Sequence, residues 1–337
     1  MKALFIGGTG TISTSISKLL IKEGWELTLL NRGNRPGIPG AEHLQGDIGN
    51  EADIAEKLKG RQFDVVADFI CFDPEQARRD IRLFSGKTKQ FIFISTASAY
   101  QKPPVSPILN ETTPLHNPHW EYSRKKAACE DVFMEAYRKD LFPITIVRPS
   151  HTFANRTLTV PIHGKFGAWQ VLKRMMEGKK VLIPGDGNTL WAVMASDDFA
   201  LAFQGLMGNI HAIGQAVQIA SEELLTWNQI MKVLADALEV EFKPCYVPST
   251  LLMQCKSYDF EGPLLGDKAY TVIFDNTKLH QLVPSFTAKK RFDQSGPESI
   301  RYFLDHPELQ IPDPDFDQFC DRVVALMEEA EEKMQAL

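Results

Sequence analysis

A strand that runs straight into a glycine-rich turn at the very start of the chain constrains its fold more than any other feature. Met1-Lys2-Ala3-Leu4-Phe5-Ile6 is apolar and strand-forming, and Gly7-Gly8-Thr9-Gly10-Thr11-Ile12-Ser13 follows it directly. Gly7 allows the tight turn from strand to helix. Gly10 lets backbone close on a pyrophosphate at the helix N-terminus, where unpaired N–H groups favour an anion. The alternation then continues. Residues 2–7, 26–31, 64–70, 90–95 and 143–148 are short runs rich in Val, Ile, Leu and Phe, each reading as a strand buried on both faces. Thr14–Glu23, Glu51–Leu58, Pro74–Phe84 and Glu121–Lys139 read as the helices between them. Such alternation predicts right-handed crossovers and an α/β fold built on a doubly wound parallel sheet.

The character changes after Arg148-Pro149. Gly and Pro punctuate the chain, helices are expected at about 165–177, 197–207 and 226–238, and Ala216-Val217-Gln218-Ile219-Ala220 is placed to return to the main sheet. The expected organisation is a Rossmann-type dinucleotide-binding domain over 1–155, with a returning segment at about 196–225. A smaller C-terminal substrate lobe takes 156–195 and 226–310, and a helical tail takes 311–337.

Composition narrows the class. The 337 residues are 44% hydrophobic and 24% charged, with a formal charge of −6, which suits a globular protein and disfavours nonspecific nucleic-acid binding. No apolar run approaches the roughly 20 residues a membrane span needs, and the N-terminus lacks a signal-peptide pattern. Five scattered cysteines suggest neither a disulfide framework nor a zinc site, so a reduced, cytoplasmic setting without a metal is expected.

At the phosphate-binding turn, Thr11 and Ile12 open the helix, and Ser13 stands where a third glycine would allow close helix–strand packing, so the helix is expected to shift slightly. Asp47-Ile48, after a short third strand, is placed to reach an adenine ring. The second strand ends in Asn31-Arg32-Gly33-Asn34-Arg35, where NAD-selective sites carry a carboxylate for the ribose 2′-hydroxyl. Arg32, helped by Arg35, pairs instead with a 2′-phosphate. The cofactor reading is therefore NAD or NADP, leaning to NADP; the alternative is a solvated basic loop.

A strand hydroxyl, Thr96, precedes Tyr122-Ser123-Arg124-Lys125-Lys126. Tyr122 and Lys126 lie four apart, on one side of a helix. An ammonium there is expected to lower the phenol's pKa toward working pH and make Tyr122 a general acid/base.

These pieces, GGTGTIS, GDI at 46–48, FISTASAY, YSRKK and TIVRPS at 145–150, resemble the extended short-chain dehydrogenase/reductase superfamily, in its NAD-dependent epimerase/dehydratase group. The resemblance covers the first half of the chain. It implies Thr96 as the substrate-orienting hydroxyl, Tyr122 as acid/base and Lys126 on the nicotinamide ribose, with Pro149 and Ser150 near the carboxamide. It also implies a homodimer through helices of the main sheet. Two positions depart from nucleotide-sugar epimerases. His151 stands where they carry an asparagine, and Trp191 where they carry an arginine for the diphosphate. Tryptophan cannot make bidentate phosphate bonds, so a smaller polar or stackable substrate is expected. Ala97-Ser98 replaces the acidic pair of dehydratases. Ser98 either aids the substrate or caps the turn, and His151 is either a ligand or a buried structural histidine. Trp120 is expected to pack rather than bind, and Cys71 to be a small buried side chain near the cofactor. The function expected is an NAD(P)-dependent oxidoreductase or epimerase acting at a hydroxyl or keto carbon of a sugar-like or small polar substrate. The alternative is a catalytically silent module that senses nicotinamide cofactor or binds RNA or protein.

Overall fold

The computed structural model describes residues 1–337. Seven parallel strands form its central sheet: β1 (Lys2–Ile6), β2 (Glu26–Asn31), β3 (Glu42–Gln45), β4 (Phe63–Asp68), β5 (Thr88–Ile94), β6 (Ile144–Pro149) and β7 (Gln215–Ile219). Their order is β7-β6-β5-β4-β1-β2-β3, reversing direction beside β1, so a crevice opens at the carboxyl ends of β1 and β4. The expected doubly wound α/β fold is present, and the segment near 216–220 does return to the main sheet, pairing in register with β6.

Each face of the sheet is covered because its strands are apolar on both sides. Helix α1 (Thr11–Lys22) buries Ile16 and Leu20 against one face together with Phe199 and Phe203 of the helix Ser196–Leu206. On the other face, α2 (Glu51–Lys57), α3 (Pro74–Phe84) and α4 (Glu121–Asp140) bury Ile54, Phe84 and Phe133. Local chemistry sets the helix ends. Asp73 accepts from Gln76 N and Pro74 follows it at the first turn of α3, while α4 stops where Leu141 adopts φ 55°. A third core lies outside the sheet, where Trp191, Trp227, Leu234 and Phe260 pack with Phe316, Phe319 and Val323 of the terminal helix Pro314–Gln335. That helix is thus seated in the lobe's core along one stripe, and its far end is exposed.

Ser13 is the first small surprise. Its side chain is buried and its hydroxyl accepts from Gly10 N at 2.9 Å, so serine ties the glycine turn to α1. The tightest constraint near the crevice is ionic. Arg148 on β6 and Glu130 on α4 are both buried, and Nε and Nη2 of Arg148 reach the carboxylate at 3.0 and 2.6 Å. Ser95 donates to the same carboxylate, joining β5, β6 and α4. Removing one member leaves a buried charge unpaired, so Glu130→Ala should cost about 3–5 kcal/mol, whereas Glu130→Leu with Arg148→Met should recover most of it. Urea-denaturation midpoints of the three proteins check this.

Candidate active site

Thr96, Tyr122 and Lys126 meet at the carboxyl ends of β4 and β5 in a pocket of about 310 Å³. Ser98, Pro149, Ser150, His151 and Trp191 line the same pocket, so every residue read from the sequence as catalytic or substrate-facing is gathered there. A separate cleft of about 740 Å³ lies beside the glycine turn, lined by Thr9, Gly10, Thr11 and Arg35 on one side and by Asp197, Lys290 and Tyr302 on the other.

Thr96 caps the short turn Ala97–Ala99, accepting from Ser98 N at 3.2 Å. The Ser98 hydroxyl is bonded to Thr96 at 3.0 Å and to Ser123 at 2.7 Å. Ser98 therefore holds Thr96 in place and links it to α4, beside its place in the pocket wall. Lys126 is 2% exposed and its ammonium donates to the Cys71 and Ile94 carbonyls, each at 2.7 Å. Two of its three N–H bonds are so used, leaving one for a ligand. Phe72 and Phe93 face the same ammonium at 4.7 and 4.8 Å.

This geometry corrects one expectation. Burial pushes the Tyr122 phenol above its ordinary value; the Thr96 hydroxyl opposes the rise, and the Asp267 charge adds to it. Lys126 lies 5.9 Å from the ring centroid, aims its ammonium at two backbone carbonyls, and is not among the groups that shift the phenol. Burial also lowers Lys126 itself, against the charges around it. Cys71 is fully buried, and its thiol is pushed far up by its bond to Cys129 and by burial, which makes it unreactive. Behind it, Asp80 is raised by burial and by Asp68, with Arg79 bonded to Asp80 at 2.7 Å.

His151 pairs in register with Val193, and its ring centroid is 6.5 Å from that of Trp191. Burial, then the charges of Lys268 and His163, push His151 down to about 3. Trp191 is 4% exposed, stacks on Trp227 at 5.8 Å, and leaves its Nε1–H without a partner; the Ser150 hydroxyl is likewise buried and unpaired. Trp120 lines the pocket 5.1 Å from the Tyr122 ring and also packs against Gly262 and Gly266.

The glycine turn suits a pyrophosphate. Gly7 and Gly8 have φ of 104° and 79°, and a Cβ on Gly8 would lie 2.5 Å from Leu29. Gly10 is the N-cap of α1 and brings no side chain to its first-turn N–H groups, which leaves them for a phosphate. At the adenine end, Asn31 accepts from Gly33 N at 3.0 Å, Asp47 accepts from Gly49 N at 2.9 Å, and Ile48 is buried. Arg32 is exposed, while Arg35 donates to the Thr9 carbonyl at 2.9 Å and so braces the glycine turn.

Sequence reasoning missed Lys102, Phe72 and Asp267, which also line the pocket. None sits in a recognisable motif. Lys102 follows the Thr96 turn, and Asp267 arrives from the lobe, so only the tertiary fold brings them together.

Fold and site together set a Thr–Tyr–Lys constellation at the switch point of a Rossmann-type sheet. Residues 81–220 match the model of the NAD dependent epimerase/dehydratase family. A chloroplast stem-loop binding protein of 41 kDa from Arabidopsis thaliana is 26% identical over 251 residues, 70% of this chain and 63% of its own. A UDP-glucose 4-epimerase from Lactobacillus helveticus is 28% identical over 169 residues, 44% of this chain and 51% of its own. The chain thus spans less than two thirds of either relative's length. A UDP-glucuronic acid 4-epimerase from Bacillus cereus, solved with UDP-glucuronic acid and NAD, superposes with a TM-score of 0.71 at 18% identity, covering 90% of this chain and 99% of that one. The resemblance to the NAD-dependent epimerase/dehydratase group of extended short-chain dehydrogenases/reductases thus stands on sequence and fold.

His151, held neutral by burial, should show no ring-proton titration between about pH 5 and 8 by NMR. The unfolded chain takes that proton near its ordinary value, so this residue withdraws stability as pH falls from about 6.5 toward 3.

Proposed function

We propose that the protein is a nicotinamide-dependent enzyme acting at a hydroxyl or keto carbon of a small, sugar-like substrate, with Tyr122 as acid/base. The observation that carries this reading is the convergence of Thr96, Tyr122 and Lys126 on one pocket beside a glycine turn suited to a pyrophosphate. A volume of about 310 Å³ is at the small end for ligand pockets, and Trp191 offers a stacking face and one N–H in place of a phosphate-binding guanidinium.

When bound, the nicotinamide supplies or accepts the hydride. The glycine turn and the α1 N-terminus would hold the pyrophosphate, Lys126 would give its remaining N–H to the ribose, and Pro149 and Ser150 would serve the carboxamide. Thr96, kept in place by Ser98, donates to the substrate oxygen. Tyr122 exchanges a proton with that oxygen as the bond order at carbon changes. Burial keeps the phenol protonated at neutral pH, the form that can donate to a carbonyl oxygen. The Asn31–Arg35 segment, with no carboxylate and an exposed Arg32, favours a 2′-phosphate.

A second reading is supported by the name of the Arabidopsis relative: a module that binds a nucleic-acid stem-loop. The formal charge of −6 weighs against it.

Tyr122→Phe should reduce turnover on sugar and keto substrates by about 10²–10⁴-fold while NADH and NADPH still bind by fluorescence. Unchanged turnover in that variant, or cofactor binding without turnover on any substrate of a broad screen, would overturn the enzymatic mechanism. Reductive activity should stay level through the neutral range and fall only at alkaline pH, where Tyr122 loses its proton. Wild type should prefer NADPH, and Arg32→Ala should weaken NADPH about tenfold while sparing NADH.

A further inference from the structure

The pocket holds a pair of opposite charges that the chemistry above does not use. Lys102 is 2% exposed, yet its ammonium makes no hydrogen bond to the protein. Its backbone N–H donates to His116 O at 2.9 Å, which fixes the residue while the side chain forms part of the pocket wall. Asp267 lines the same pocket from the helical segment Glu261–Lys268, whose wide turn includes an Ala269 N to Leu264 O bond of 2.8 Å. Its carboxylate has no hydrogen-bond partner either. The two side chains are too far apart for a salt bridge, which requires 4.0 Å or less. They still feel each other: the Lys102 charge draws Asp267 down against the burial that raises it to about 6.

Both positions are braced. Asn117 is buried and donates to Ser98 O and Gly266 O, each at 2.7 Å, so the residue before Asp267 is tied to the Thr96 turn. Neither the Lys102 ammonium nor the Asp267 carboxylate is among the fully enclosed unpaired atoms, so both charges face the open space of the pocket and are free to take a ligand's oxygens. The other charged neighbours are occupied. Lys126 is turned to its two carbonyls, Lys268 reaches the Pro161 carbonyl at 3.2 Å, and His151 is neutral.

Resting on the reading of the site as an enzyme for a small sugar-like substrate, we propose that Lys102 and Asp267 form a hydroxyl-recognition subsite. The Lys102 ammonium donates to one oxygen of a vicinal diol, and the Asp267 carboxylate accepts from its neighbour. Trp191 and Trp120 supply the flat apolar walls against which a sugar ring stacks. A carboxylate-bearing substrate is disfavoured, because Asp267 would face it.

Ligand-observed NMR on NAD⁺-loaded protein tests this with D-glucose, D-galactose, their 2-, 3- and 4-deoxy analogues, and D-glucuronate. At least one neutral sugar should bind wild type. Removing one of two adjacent hydroxyls should weaken it about tenfold, and that penalty should vanish in Asp267→Asn or Lys102→Met. Failure of all neutral sugars to bind below about 50 mM would overturn the subsite. So would unchanged sugar affinity in both variants, or tighter binding of glucuronate that is lost in Lys102→Met. NADH fluorescence, expected to be unchanged in both variants, reports the fold. If wild type fails to bind NADH, the enzymatic reading itself falls; if NADH binds and the sugars do not, only the subsite falls.

Discussion

The site depends on a buried ammonium held by two strand ends. Lys126 rises from α4 and is gripped by the Cys71 and Ile94 carbonyls, beyond the ends of β4 and β5. An ammonium this deep is tolerated only because carbonyl dipoles, two aromatic faces and nearby acidic groups offset the loss of water. The grip fixes the rotation and height of α4 over the sheet, and with them Tyr122 one helical turn earlier. The Arg148–Glu130 pair anchors the same helix one turn later, so α4 is held from both sides of its catalytic turn.

A familiar motif therefore works here by a different balance. Tyrosine and lysine four residues apart suggest a cation that acidifies a phenol. In this fold the cation is committed to backbone, and the phenol is governed by burial and by the hydroxyl of Thr96.

The sheet was legible because its signals are local. Apolar runs of strand length and a glycine turn each carry their own physical reason, and β1, β2 and α1 fall close to where those reasons put them. The Thr96–Tyr122–Lys126 group was legible because it sits on elements of that sheet. Lys102 and Asp267 were not, since one follows a short turn and the other comes from a lobe segment far along the chain, and no spacing rule relates them. The neutral state of His151 was equally hidden, because it depends on burial and on Lys268, again a lobe residue.

Gly262 lies flush against the Trp120 indole and Gly266 against the Trp120 Cβ, where a β-carbon at either position would collide. The lobe thus meets the sheet domain through bare backbone on a flat ring, with Asn117 clipping the contact shut. An indole resting on peptide planes behaves as a mechanical stop: it sets how near the lobe comes, with little slack from side-chain rotamers. The width of the reaction chamber is then gauged by two missing methyl groups, and the lobe can alter its reach into the chamber only by lifting off that ring.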